Sequence, residues 1–300
     1  MPLPPLYKYL DVDGAKKTLG GQCFKHAKPS TFNDKEDLTV AGVFPGNLAD
    51  ALKSIQANLG EMILTNIDRP VACSSPSMRQ TVTKLQDIFR ANPKAAPIFV
   101  QELKKTPELL KLDVSNVEQL AQSTIDGINE MMQRHRVFCV TTEKDAEKMW
   151  SGYAQDHMGI ALRVLAGPGR DSKFELFRPV SYQEKRPTIY RDGGHFMSWT
   201  LFEDQEASAR AAMHDIIYTK TLDWQHEKEY RLVIPLDKNE EDWSLLKFHP
   251  EEITELYLGL AIDETDRAEI VEKAVAINPA IATFQMNRDA EGRLVPEVVT

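Results

Sequence analysis

The strongest constraint on the fold is a change of periodicity part-way along the chain. From Asn47 to about Arg134, apolar residues recur at three- and four-residue spacing. The stretches NLADALKSIQANL, MRQTVTKLQDIFRANP, APIFVQELKKTPELLKL and VSNVEQLAQSTIDGINEMMQRH all show it. That spacing predicts amphipathic helices, and the Pro and Asn-Pro breakers between them predict where each one stops. Outside this block the apolar residues fall in short β-branched or aromatic runs: LYKYL, RVFCVTTE, MGIALRVL, KFELFRPVSYQ, EYRLVIPL, ITELYLGLAI, AIATFQMN and RLVPEVV. Those runs predict strands. Strands at both ends with helices between them predict an α+β fold with a mixed, mainly antiparallel sheet. The expected organisation is a single domain over residues 1–300 with a helical insertion at 47–134.

Smaller elements follow from the same reasoning. A helix-length piece ends at Gly20-Gly21, with a strand around Cys23 to His26. DAEKMWSGYAQDH is a short helix with Asp145 as candidate N-cap. EDQEASARAAMHDIIYTKT and DETDRAEIVEKAVAIN are further helices, and RPVACSSP is a candidate short strand.

Charge narrows the function. Thirty-six Lys and Arg against 45 Asp and Glu give a formal charge of −9. An acidic chain has no bulk attraction to phosphate backbones or anionic lipid, so a nucleic-acid partner is not expected. No run of about 18 apolar residues is present, so no membrane span is expected. The N-terminus lacks the pattern of a secretory signal. The three cysteines, Cys23, Cys73 and Cys139, are too far apart for a zinc knuckle and odd in number. Free thiols in a reducing bacterial cytoplasm are the economical expectation. G-x-G-x-x-G, P-loop, H-E-x-x-H and G-x-S-x-G motifs are all missing, and the seven histidines show no metal-ligand spacing, so no metal site is expected.

Three clusters carry candidate chemistry. Tyr7, Lys8 and Tyr9 lie on the first strand. They either pack an edge or line a pocket. Trp150, Tyr153 and His157 have the spacing of one helix face, either a core stripe or a site. Glu227, Glu229 and Arg231 alternate, which on a strand places them on one face. Two close carboxylates need a compensating cation, and Arg231 is placed to supply it. Charge clusters on strands are usually solvated faces, but Trp224 and Tyr230 beside this one imply burial.

These clusters, with FND at Phe32 to Asp34 and ITELYLGLAI, occur in an order that resembles the bacterial domain-of-unknown-function family numbered 2971. Its pattern has an L-Y-K-Y start, then F-N-D-P-F-E, W-S-x-Y-A-x-x-H-x-G-I and W-x-x-E-x-E-x-R. After FND this chain reads Lys35-Glu36-Asp37, so the proline turn is lost and the acid is shorter. Asp37 is accordingly given no role. The E-x-E pair and the first-strand Y-K also resemble the layout of ADP-ribosyltransferases. That resemblance implies Glu229 as the catalytic carboxylate and Glu227 as the residue orienting an acceptor. Lys8, Tyr7, Tyr9, Asn33, Trp150, Tyr153, His157 and Arg231 would then hold NAD as substrate. Accessory bacterial families often serve in toxin activity or phage defence, and that is the expected setting. The alternatives are a non-catalytic module that senses a small nucleotide and meets a partner protein through the helical insertion, and a metal-dependent phosphoesterase using the same two glutamates.

Overall fold

The computed structural model describes residues 3–73, 75–105, 117–166, 171–236 and 241–299. The chain divides into two compact units. The first holds 1–37, 131–184 and 220–300; the second holds 38–130 and 185–219.

The strands are β1 (Leu6–Leu10), β2 (Cys23–Ala27), β3 (His135–Thr141), β4 (Ile160–Val164), β5 (Arg178–Pro179), β6 (Ser181–Gln183), β7 (Thr219–Thr221), β8 (Glu229–Pro235), β9 (Trp243–Lys247), β10 (Ile253–Leu258), β11 (Ala282–Arg288) and β12 (Leu294–Val298). Ten of them form one sheet in the order β12-β11-β10-β4-β1-β3-β2-β9, with β8 on β3 and β5 on β8. Every pairing in it is antiparallel except β10 with β11. The expected α+β class with a mixed, mainly antiparallel sheet is therefore what the chain forms. The strands expected at Tyr7, Val137, Ile160, Tyr230 and Tyr257 all belong to this sheet.

Alternation along the strands sorts the first unit into two faces. Leu6, Phe24, Phe138, Leu162, Leu232 and Leu256 form the main core. Helices α1 (Val12–Gly21) and α9 (Glu264–Ile277) cover it through Ala15, Leu19, Ile270 and Ala274. Each helix starts at an aspartate that accepts from free amides of the first turn, Asp11 from Gly14 and Asp263 from Thr265. On the opposite face Tyr7, Tyr9, Ala161, Tyr257 and Met286 pack with Met149 and Trp150.

The second unit contains α2 (Leu48–Thr65), α3 (Pro76–Ala91), α4 (Ala96–Lys105), most of α5 (Val117–Met132), α7 (Gly193–Phe202) and α8 (Gln205–Ile217). Ile55, Leu59, Ile63, Val82, Phe89, Val100, Met197 and Leu201 form its own core. The helical pieces expected after residue 105 fall partly on 106–116, outside the described residues. The intervening α6 is Glu147–Tyr153.

Several elements differ from the sequence expectation. KFELFRPVSYQ is not one strand. Ser172 Oγ accepts from Phe174 N at 3.2 Å and starts a 3-10 turn that drops Phe174 and Phe177 into the core, and β5 and β6 follow. RPVACSSP forms no strand among its described residues. Helix α7 starts on two glycines and its apolar residues do not gather on one helical face, so periodicity does not reveal it. Ala146, not Asp145, occupies the N-cap of α6. Helix α8 ends at Ile217, and the β-branched Thr219 and Thr221 carry the chain into β7 rather than another helical turn. Among the described residues no helix is long and apolar enough to cross a membrane.

Candidate functional site

The site lies in the first unit, where one edge of β3 changes partner. Strand β1 meets that edge at Tyr7↔Thr141 and β2 meets it at Ala27↔Val137. Strand β8 pairs along the other edge from His135↔Pro235 to Thr141↔Glu229. Cys139 therefore sits between the two partners, and its carbonyl accepts from Lys8 Nζ at 3.1 Å. The Lys8 amine also lies 5.2 Å from the centre of the Phe138 ring.

The register of β8 on β3 sets Arg231 opposite Cys139 and Glu229 opposite Thr141, all on one face. Glu229 and Arg231 are bound side to side. Arg231 Nε donates to Oε1 at 2.6 Å and Nη2 to Oε2 at 3.1 Å. Arg231 Nη2 also donates to Asp37 Oδ2 at 2.5 Å. Lys220 on β7 supplies the second cation. Its amine donates to Glu227 Oε2 at 2.6 Å and to Glu229 Oε2 at 3.3 Å, and lies 3.7 Å from Asp37 Oδ2. The Trp224 ring centre is 4.5 Å from the same amine. Tyr153, the last residue of α6, donates its hydroxyl to Glu227 Oε1. Tyr182 accepts at its hydroxyl from the Glu229 amide at 2.9 Å.

All these charges are buried, which makes their pairing decisive. Glu227 does not extend β8. It ends a 3-10 turn, Leu222–Glu227, and Lys228 then takes the left-handed conformation (φ 42°). That single kink, rather than strand alternation, turns Glu227 back beside Glu229. Burial opposes ionisation of Glu229, but Arg231 and Lys220 outweigh it and hold its carboxyl down at about 2. Burial likewise opposes the charged Lys220 amine; Glu229, Glu227 and Asp37 outweigh it and raise its pKa. For Asp37 burial wins, and its carboxyl is raised despite Arg231. Burial lowers the Lys8 amine and lifts the Cys139 thiol well above its ordinary value.

The cluster forms part of the wall of a cavity of about 250 Å³. Tyr7, Lys8, Tyr9, Asn33, Tyr153, Glu227 and Glu229, all expected from the sequence as site residues, line it. Arg231 stands behind Glu229, fully buried. Trp150 is also fully buried and donates Nε1–H to Lys144 O at 2.9 Å. His157 bonds Glu147 Oε1 at 3.0 Å and stacks on Trp150. Neither Trp150 nor His157 lines the cavity. The common helix face expected for Trp150, Tyr153 and His157 does not form, because α6 stops at Tyr153. Gln155, Asp156 and His157 then take three consecutive left-handed conformations.

Sequence reasoning missed Lys220, Tyr182 and Asp37. The motif around Asp37 is degenerate, yet its carboxylate pairs with Arg231 across 194 residues of sequence. An acid retained at that position was the available signal. Lys220 was hidden at the tail of an assumed helix.

Comparison with known proteins gives a match to a family model. Residues 149–232 match the model of a family described as protein of unknown function, DUF2971. The matched segment opens on α6 and closes on β8. It therefore includes Tyr153, Lys220, Trp224, Glu227, Glu229 and Arg231, and takes in two of the motifs that carried the family resemblance. Lys8, Asn33 and Asp37 lie outside it. No curated protein and no solved structure matches the chain.

Proposed function

We propose that the cavity binds a pyridine nucleotide, NAD, and that the protein transfers ADP-ribose from it in the cytoplasm. The observation that carries this reading is the unequal saturation of the two glutamates. Glu229 is held by three donor contacts from Arg231 and Lys220, whereas Glu227 accepts one from Tyr153 and one from Lys220. A carboxylate has room for about four donors. Glu227 thus keeps acceptor capacity on the cavity wall and, in place of the Glu229 that the resemblance implies, is the carboxylate we assign to the ribose, while Glu229 fixes the cations around it. In the reaction the bond from ribose C1′ to the nicotinamide nitrogen breaks, its electron pair leaves with neutral nicotinamide, and a nucleophilic atom of the acceptor bonds to C1′ as its proton passes to water. Positive charge builds on the ribose, and a preset carboxylate is the complementary group. Tyr153, Phe32 and Trp224 supply aromatic surface for the nicotinamide.

A second reading is favoured by the saturation of Glu229 itself: a ligand-sensing module without turnover, whose helical segment meets a partner protein. One experiment separates the two. The protein is incubated with NAD while released nicotinamide and melting temperature are followed. Release that falls about 100- to 1,000-fold in Glu227→Gln supports transfer. A melting shift without release supports sensing. Absence of both signals rules NAD out as the ligand.

A further inference from the structure

The three lysines lining the cavity have different fates. Lys220 is locked among carboxylates and Lys25 is exposed at the rim. Lys8 is half-buried, and among the described residues its amine meets one hydrogen-bond acceptor, a neutral backbone carbonyl, and one aromatic ring. No carboxylate lies within ion-pair distance of it there. A lysine ammonium ordinarily gathers several acceptors or a counter-ion; a neutral amine needs neither, and it is a nucleophile. The split between β1 and β2 opens this amine to the cavity.

We infer that Lys8 is a carbonyl-capturing residue: its amine condenses with the aldehyde group of a small ligand held in the cavity. The nitrogen lone pair attacks the aldehyde carbon to give a carbinolamine. The carbon–oxygen bond then breaks, the oxygen leaves as water with two protons, and an imine remains. Protonated on nitrogen, that imine keeps one N–H for the Cys139 carbonyl, so capture does not strip the carbonyl of its donor. Desolvation, which lowers the Lys8 pKa, favours the reactive form of the amine. The inference does not depend on NAD turnover.

The test uses the whole protein, pyridoxal 5′-phosphate as the aldehyde and borohydride to reduce the imine at neutral pH, with labelled positions located by peptide mass mapping. Lys8 is expected to label faster than the exposed Lys17, Lys53 and Lys105, since a lowered pKa raises the neutral fraction of its amine. Lys8→Arg keeps a donor for Cys139 O, so it should melt like the parent and lose the fast label. Lys8→Met should also lose it. Labelling of Lys8 no faster than the exposed lysines, or a fast label that survives in Lys8→Arg, overturns the inference. Absence of nicotinamide release from NAD bears on the proposed transfer alone.

Discussion

At the residue scale, burial decides what Glu229 is worth. An exposed ion pair contributes about 1 kcal/mol or less, whereas removing one partner of a buried pair costs about 3–5 kcal/mol. Glu229 is 5% exposed and Arg231 0%. Glu229→Gln is therefore expected to lower stability by about 3 kcal/mol or more in denaturant titration. Glu227→Gln, which leaves Lys220 two other carboxylates and Tyr153 an acceptor, should cost about 1–2 kcal/mol. Equal losses in the two variants would count against the saturation argument. Acid sensitivity follows from two groups with separate windows. Burial, aided by Lys8 and Lys173, holds the His26 imidazole down at about 3, and neither of its ring nitrogens has a hydrogen-bond partner among the described residues. A histidine harder to protonate when folded supports the fold above its unfolded value of about 6.5, and that support is lost as pH falls toward about 3. Glu229, with its folded value near 2, supports the fold above its unfolded value of about 4.3 and loses that support below it. Asp37, raised by burial, takes up a proton more readily when folded, so above its unfolded value of about 3.9 it opposes His26 in the upper window. Melting curves of His26→Phe should therefore be flatter than the parent's between pH of about 6.5 and 4 and similar above it. An unchanged slope there would show that His26 is not the group titrating.

At the element scale, the stretch WSGYAQDHMGI is legible once the backbone is traced. Trp150 anchors α6 in the core, Tyr153 faces the cavity, and His157 ties the left-handed loop back to Glu147. Gly159 is fixed by contact: a methyl group there would overlap Leu10 O and press on Ala154. At Gly259 it would overlap His157 O. Gly159→Ala and Gly259→Ala are each expected to destabilise by more than about 3 kcal/mol, because backbone must move. Gly152, in α6 with open space around it, is the control, and Gly152→Ala should gain about 0.5–1 kcal/mol. Thermal unfolding of the three variants checks the ordering; a mild Gly159→Ala would mean that β1 and the loop are not in contact. The strands were readable because alternation is local: Leu6 and Tyr7 already disclose two faces. The acids and cations were only half readable. Glu227, Glu229 and Arg231 lie within five positions, but Asp37 reaches them only through the sheet. The turn that presents Glu227 depends on a left-handed Lys228, which no residue preference announces.

At the scale of the whole molecule, the two units have separate apolar cores, and the cavity belongs to the first alone. Ligand binding and core damage in the second unit should then be separable in unfolding. A ligand at about 100 times its Kd adds roughly 2.7 kcal/mol to whatever unfolds with its site. Truncating a buried phenylalanine costs about 3–5 kcal/mol where it packs. Phe89 is 1% exposed in the core of the second unit, and Phe138 is equally buried in that of the first, directly beneath Lys8. Calorimetry of Phe89→Ala should show one component of the unfolding profile moved down, with the rise of the other component expected on adding NAD, the proposed ligand, intact. Phe138→Ala should move the ligand-responsive component instead and weaken binding as well, since it removes the surface under the Lys8 amine. A single transition that shifts as a whole in both variants, with the nucleotide raising all of it, would show that the two cores unfold as one. The helical unit would then be a structural part of the binding domain rather than a separable partner-facing module.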